Sequence, residues 1–365
     1  MNPISDEMIQ AFAREVLRLR SEYEFDTFWL GTRVAGPVTA EEALATKSEV
    51  NRRVGQCLER TAPGLVASLE RAVIRIELAY PAGGARVQRL QPLLIYGRYR
   101  KLSREIPQSK WPCRHCHGVG CEVCGGTGKR YQRSVEELVA APILPICRPF
   151  DPTQGGPERL SKGRGTGTKM HSVGREDVDA RMLGRGRPFV LELEMPRVRT
   201  FDLAPIQEAL NRTLTGEVEV EQLRFADRGL LDRMLRMSPD KSYRAAVECL
   251  VPVPRAAVER LGALRDVVLR QETPRRVLHR RANLVRRRTV RTCSVQISEP
   301  GPTVRRFELT VRVQSGTYIK ELISGDEGRT NPSLSAILRA PCDCRELDVL
   351  EVHCDPLTAP SPADV

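Results

Sequence analysis

Four cysteines fall within residues 113–124, as Cys113-Arg-His-Cys116 and Cys121-Glu-Val-Cys124, and each pair runs on into x-Gly-x-Gly. Two thiolates three positions apart chelate one ion from a tight turn, and two such knuckles supply the four soft ligands of a closed tetrahedral zinc site. The glycines let the chain bend around a metal without side-chain clash. The chain has 11 cysteines, which raises the alternative of a disulfide framework, but the others are scattered through it. Cys113, Cys116, Cys121 and Cys124 are therefore expected to hold a structural zinc. A redox dithiol is the competing reading, and no other feature of the sequence speaks for it. His115 and His117 are expected as exposed spacers or nucleic-acid contacts.

The second cluster is acidic. Gly174-Arg-Glu-Asp-Val-Asp-Ala-Arg-Met-Leu-Gly184 brackets alternating charges with glycines just before an apolar run. Alternation puts Asp177 and Asp179 on one face of an extended segment, where two carboxylates can bind a metal, share a proton, or divide the roles of nucleophile and support. A polar turn whose Arg and Asp residues cap one another fits the composition equally well. Tyr243, in Lys241-Ser-Tyr, and Tyr318, in Gly316-Thr-Tyr-Ile-Lys320, stand in charged strands of a chain that is only 5% aromatic. Strand packing is the usual fate of such tyrosines. Together with the carboxylates they suggest a flipped base stacked on a ring beside an acidic group.

The third cluster is basic: between 271 and 291 eight Arg stand against one Glu, within a chain of net charge +12. Arg275, Arg276, Arg280, Arg281, Arg286, Arg287, Arg288 and Arg291, with His279, form either a solvated face or a grip on phosphates. The overall excess favours a polyanionic partner.

These residues need elements to position them. Over 365 residues about two domains are expected. Met8, Ile9, Phe12, Val16 and Leu19 recur at helical spacing over 6–19, and apolar runs at 72–79 and 87–97 read as strands, so 1–110 is expected to be a small α/β unit. Ser134 and Glu137 have the form of a capping box. Residues 150–170, rich in Gly and Pro, read as a long mobile loop. Beyond it, strands are expected near 188–195, 217–224, 243–252, 284–297, 305–315 and 345–352, with helices near 205–212, 228–236, 255–270 and 331–339. That order predicts an α+β domain on a mostly antiparallel sheet. No apolar run approaches the ~18–20 residues that span a bilayer, and the opening residues lack a signal-peptide pattern, so no membrane association and a cytoplasmic location are expected.

Taken together, GREDVDARMLGRGRPFV, KSYRAAV, ETPRRVLHRR and SGTYIKELISGDEGRTNPS closely resemble, in that order, the signature segments of the Pus ten family of tRNA pseudouridine synthases, over about 134–353. The resemblance implies an α+β pseudouridine synthase domain at 129–365, a zinc knuckle at 113–128, and an N-terminal α/β accessory domain at 1–112 that is THUMP-like and binds RNA. It implies isomerisation of uridine 55 in the tRNA T-arm, with uridine 54 as a second target, by a monomer needing no organic cofactor. By position, Asp177 in Arg175-Glu-Asp177 resembles the catalytic aspartate, Tyr243 the tyrosine that stacks on the target uracil, Lys320 the cation paired with the aspartate, and Ile319 the apolar pocket lining. Arg175 and Tyr318 fall beside these positions, and Arg280, Arg281, Arg286, Arg287 and Arg288 are expected to contact tRNA phosphates. Contiguous cysteine pairs and a long loop before GREDVD depart from the family pattern and bear on tRNA docking. A zinc-bearing RNA-binding protein without catalysis, and a metal-dependent nuclease using Glu176, Asp177 and Asp179, are the rival readings.

Overall fold

A computed structural model describes residues 4–147 and 167–358. The chain divides into two compact units: one comprises 1–94, 140–169 and 192–202, and the other 95–139, 170–191 and 203–365. The division falls at 94/95, ahead of the 112/113 boundary that the family resemblance implies, and the cysteine segment groups with the second unit.

In the first unit, α1 (Asp6–Glu22) starts where Ser5 Oγ accepts the Met8 N–H, and its buried stripe is Ile9, Phe12, Ala13, Val16 and Leu19. After β1 (Thr27–Val34) comes α2 (Ala40–Thr61), opened by a reciprocal capping box between Thr39 and Glu42. β2 (Val66–Ala67) and β3 (Ile74–Tyr80) pair parallel with β1, and β4 (Ala85–Leu90) pairs antiparallel with β3. Neither β1 nor α2 was apparent from periodicity, and the expected strand at 87–97 is two strands that end up in different sheets.

The second sheet contains ten strands among the described residues. Its chain order is β5 (Leu93–Lys101), the short helices α3 (Val135–Ala140) and α4 (Leu144–Cys147), β6 (Thr168–Ser172), β7 (Ala180–Leu193), α5 (Ala204–Thr213), β8 (Val218–Ala226) and α6 (Arg228–Arg236). Then follow β9 (Lys241–Pro254), α7 (Arg255–Leu261), β10 (Arg265–Glu272), β11 (Val285–Gln296), β12 (Thr303–Val313), α8 (Ile319–Ser324), β13 (Thr330–Asn331), α9 (Leu334–Leu338) and β14 (Cys342–Val352). The spatial order is β13-β10-β11-β12-β9-β14-β7-β5-β8, with β6 beside β7. From β13 to β14 successive neighbours are antiparallel; β14 and β7 run parallel, so the sheet is mixed.

Two expectations are corrected. The helix at 255–270 stops at Leu261; beyond Gly262 the segment becomes β10, where alternate Leu269 and Gln271 are each 1% exposed. Adjacent Val267 and Val268 favour that pleated surface over a helix. The tail of the supposed loop at 150–170 is also structured, since Thr168–Ser172 is strand β6; residues 150–166 lie outside the described residues.

Alternation on β9 buries Ala245, Val247 and Cys249 against Leu309 and Val311 of β12, and Ile319 and Ile323 of α8 close this core. Tyr243, opposite Val311 and Val349, stands at the edge of the same core in the middle of the sheet.

Candidate active site

Residues 173–179 link β6 to β7 and are tied from behind. The fully buried Glu176 carboxylate accepts Arg187 Nε at 2.9 Å and the Tyr99 hydroxyl at 3.0 Å. Arg187, 1% exposed, also donates to Val173 O at 2.6 Å. Gln108 Nε2 donates to the Tyr99 hydroxyl (2.7 Å), Ser172 Oγ (2.8 Å) and Gly174 O (3.2 Å). Gly174 has φ +79°, and a Cβ there would sit 2.8 Å from Lys241 Nζ, so glycine alone suits this turn. Lys101 completes the back of the loop: its buried ammonium donates to Val178 O at 2.7 Å, Ile106 O at 3.0 Å and Asp177 O at 3.3 Å. Burial pushes the Lys101 pKa down to about 8, against the pull of Glu176 and Asp179.

With Glu176 turned inward, Asp177 faces a cavity of ≈ 370 Å³. On its Oδ2 converge Arg276 Nη1 at 3.0 Å and Lys320 Nζ at 3.9 Å. Lys320 sits closer to Asp179, at 2.6 Å, and this ammonium holds the Asp179 carboxyl below its ordinary range despite burial. Arg276 also pairs with Glu321 at 2.7 Å; burial opposes its charge, but Glu321 and Asp177 outweigh burial and raise its pKa. The closest cation to Asp177 is thus Arg276, which the sequence had grouped with the phosphate-gripping run, and Lys320 is shared between two aspartates.

The expected site residues mostly converge. Arg175, Tyr243, Tyr318, Ile319 and Lys320 line the cavity with Asp177. Burial pushes the Tyr243 pKa up to about 12, so its ring presents a neutral phenol. Ile319 is 4% exposed at the start of α8, and the Tyr318 backbone is pinned on both sides by Gln271. Arg281, Arg286 and Arg288 also line the cavity, whereas Arg287, the odd member of the β11 alternation, is exposed and does not. The Arg280 side chain lies outside the described residues. Sequence reasoning missed Lys101, Tyr99, Gln108 and Arg187 altogether.

Next to this loop the four cysteine Sγ atoms of Cys113, Cys116, Cys121 and Cys124 lie within 4.8 Å of one another. Backbone N–H groups of Gly120 (3.2 Å), Cys121 (3.3 Å) and Gly128 (3.2 Å) point at the sulfurs of Cys116 and Cys124. The donors from Cys121 and Gly128 hold the Cys124 thiol down against desolvation, whereas desolvation pushes the neighbouring Cys121 thiol up. The knuckles pass so closely that a Cβ on Gly128 would sit 2.4 Å from Gly118 O. Four soft donors in a closed cluster fit one metal ion with no open coordination position.

Residues 94–353 match the family described as Pus10, C-terminal. A relative from Methanothrix thermoacetophila, named tRNA pseudouridine synthase Pus10, is 40% identical over 90% of this chain and 70% of its own. One from Methanocaldococcus jannaschii with the same name is 39% identical over 94% of this chain and 72% of its own, and one from Archaeoglobus fulgidus is 39% identical over 94% and 92%.

Proposed function

We infer that this chain, which belongs to the Pus10 family, is a tRNA pseudouridine synthase that isomerises uridine 55 of the T-arm, with uridine 54 as a second target, and that Asp177 is its catalytic carboxylate. The observation that carries this reading is the convergence of two cations on one oxygen of Asp177 at the mouth of a cavity lined by Tyr243 and Ile319.

The reaction breaks the bond from C1′ to N1 of uridine, turns the uracil, and joins C1′ to C5; the C5 proton is lost and N1 gains one. There is no change in oxidation state, and no organic cofactor is called for. An ionised carboxylate serves each route open to this chemistry, by attack at C1′ or C6 or by removal of the C2′ proton. Arg276 and Lys320 are the compensating cations beside the Asp177 carboxylate when an entering base displaces water. Tyr243 stacks on the flipped uracil and Ile319 packs its edge, with Tyr318 and Arg175 at the rim. Arg281, Arg286 and Arg288 meet the backbone phosphates.

The four cysteines would hold a structural zinc, which supplies folding energy and takes no part in the chemistry. The α/β unit on α1, α2 and β1–β4 is a THUMP-like accessory that binds RNA, and the enzyme acts as a monomer in the cytoplasm.

The test is incubation of purified protein with unmodified tRNA transcript in EDTA, followed by sequencing for pseudouridine. Product is expected from the parent and from Asp179→Asn at reduced rate, and none from Asp177→Asn, which should still bind tRNA. Full product from Asp177→Asn, or chelator-sensitive cleavage of the tRNA, would overturn the assignment.

A further inference from the structure

A second cavity, of ≈ 350 Å³, adjoins the first and shares Arg175, Glu176, Asp177, Arg276 and Lys320 with it. Its far side is built by the chain entering and leaving the cysteine knuckles. Pro112 bridges Lys129, and Arg130 N donates to Trp111 O at 2.9 Å, so the knuckles act as a clasp that brings Trp111 and Tyr131 together. The two rings meet edge to face, with centroids 5.6 Å apart. Arg130 lies 5.2 Å from the Trp111 ring and 5.3 Å from that of Tyr131, and Arg175 of the catalytic loop lies 5.1 Å from Trp111. Arg114 and His279 line the same cavity. None of these rings or guanidinium groups is needed to hold a metal, and of the cluster only Arg175 also lines the cavity assigned to the reacting uracil.

Alternating aromatic rings and guanidinium planes are the surface on which single-stranded bases stack, and clustered Arg is the complement of a nucleotide phosphate. A uridine drawn into the first cavity leaves its chain neighbour unstacked within reach of the second. We propose that the Trp111–Arg130–Tyr131–Arg175 cluster receives the RNA nucleotide next to the target uridine, stacking its base and, through Arg114, holding its phosphate. The cysteine knuckle then serves the substrate site as well as the fold. This inference rests on the RNA substrate given under Proposed function and extends it to a second subsite.

The chain has 2 tryptophans, so Trp29→Phe leaves Trp111 as the only indole reporter. In that background, titration with a stem-loop RNA carrying the target uridine should quench Trp111 emission. Trp111→Ala and Tyr131→Ala should each weaken RNA binding about tenfold, the range of one lost base stack. Neither should alter the salt slope, whereas Arg114→Gln should lower that slope by about one. Trp111→Phe, which keeps a ring, should restore most of the affinity. Zinc content equal to the parent's confirms that the clasp is intact in each variant. Half-saturation of single-turnover isomerisation should require about tenfold more Trp111→Ala protein than parent, in step with the weakened binding. Unmoved Trp111 emission at saturating RNA, or unchanged affinity in both alanine variants, would overturn the proposal. Product from Asp177→Asn would instead overturn the catalytic assignment, and the quenching result is read without it.

Discussion

Lys101→Met separates positioning from stability. In the native protein Lys101 is fully buried, and its pKa stands at about 8 in place of 10.5. A fall of that size corresponds to a penalty of roughly 3 kcal/mol for keeping the ammonium charged at pH 7. Methionine removes that penalty and fills nearly the same volume. It also takes the donor from Ile106 O and Val178 O, at about 1–3 kcal/mol for each buried carbonyl left unpaired; Asp177 O keeps the Ala180 N–H at 3.1 Å. The two effects nearly offset, so destabilisation of no more than about 3 kcal/mol is expected, a fall in Tm below about 12 °C. Activity should suffer far more, because the lost bonds are those that fix the backbone at Asp177 and Val178. A displacement on the order of 1 Å at a catalytic group costs about a hundredfold, and kcat for pseudouridine formation should drop by about that factor with tRNA Kd unchanged. The pH dependence follows from the same group. Above pH about 8 the native lysine loses its proton, and the clamp and kcat should weaken together. Stability moves the other way: the unfolded chain retains that proton until near pH 10.5, so this group's contribution to unfolding free energy rises between about pH 8 and 10.5. Thermal unfolding by circular dichroism, with single-turnover kinetics from pH 6.5 to 9.5, measures both. A Lys101→Met enzyme within threefold of the parent kcat would refute this reasoning.

Arg276→Gln should lower kcat more than Lys320→Met does, since Arg276 is the nearer cation and is itself anchored by Glu321; equal or reversed losses in single-turnover assays would count against Arg276 as the principal partner. Freshly purified protein should contain about one zinc per chain by elemental analysis, and Cys116→Ser should lower Tm without changing the single-turnover rate at a permissive temperature. Replacing Arg286 and Arg288 together with Gln should raise KM and reduce the salt slope of tRNA binding by about two, while Arg287→Gln leaves both unaltered; a loss from Arg287→Gln equal to the others would show that strand alternation does not sort these residues.

Strands β7, β8, β9, β11, β12 and β14 were legible because they are long and alternate over a half-buried surface, as in β9 and β12, whereas β10 and the two-residue β13 were not. The Gly262 break was misread because Arg255–Leu261 shares its helical period with the first residues of β10. Helix α2 carried a readable signal, Thr39 with Glu42, but its face includes Thr46 and Gly55 among the buried residues and so lacks a clean apolar stripe. Asp177, Tyr243 and Lys320 were singled out by the resemblance of their segments to the family's signatures, since composition alone left Asp177 and Asp179 equal and read the tyrosines as strand packing; the structure brings the three to one cavity. Arg276 could not be told from its neighbours: its role depends on the 3-10 turn at Arg275–Arg280 that aims one arginine of the run at Asp177. Lys101 has no local signature at all. It is the last residue of an ordinary strand, and only the approach of the loop after β6 makes it a clamp.

The charge balance around Asp177 explains why the basic residues are arranged in two layers. Next to the carboxylate, Arg276 and Lys320 face three acids, Asp177, Asp179 and Glu321, so the inner layer carries no excess of positive charge for a substrate. An RNA backbone brought against that loop would meet like charge in a poorly screened cleft. Arg281, Arg286 and Arg288 line the same cavity and form no ion pair with Asp177 among the described residues, so they are the cations left for a substrate. On the proposed assignment of Asp177, binding and chemistry draw on different arginines, and raising the ionic strength should weaken tRNA capture through the outer layer while the partly buried inner pairs, and the rate at saturating enzyme, hold.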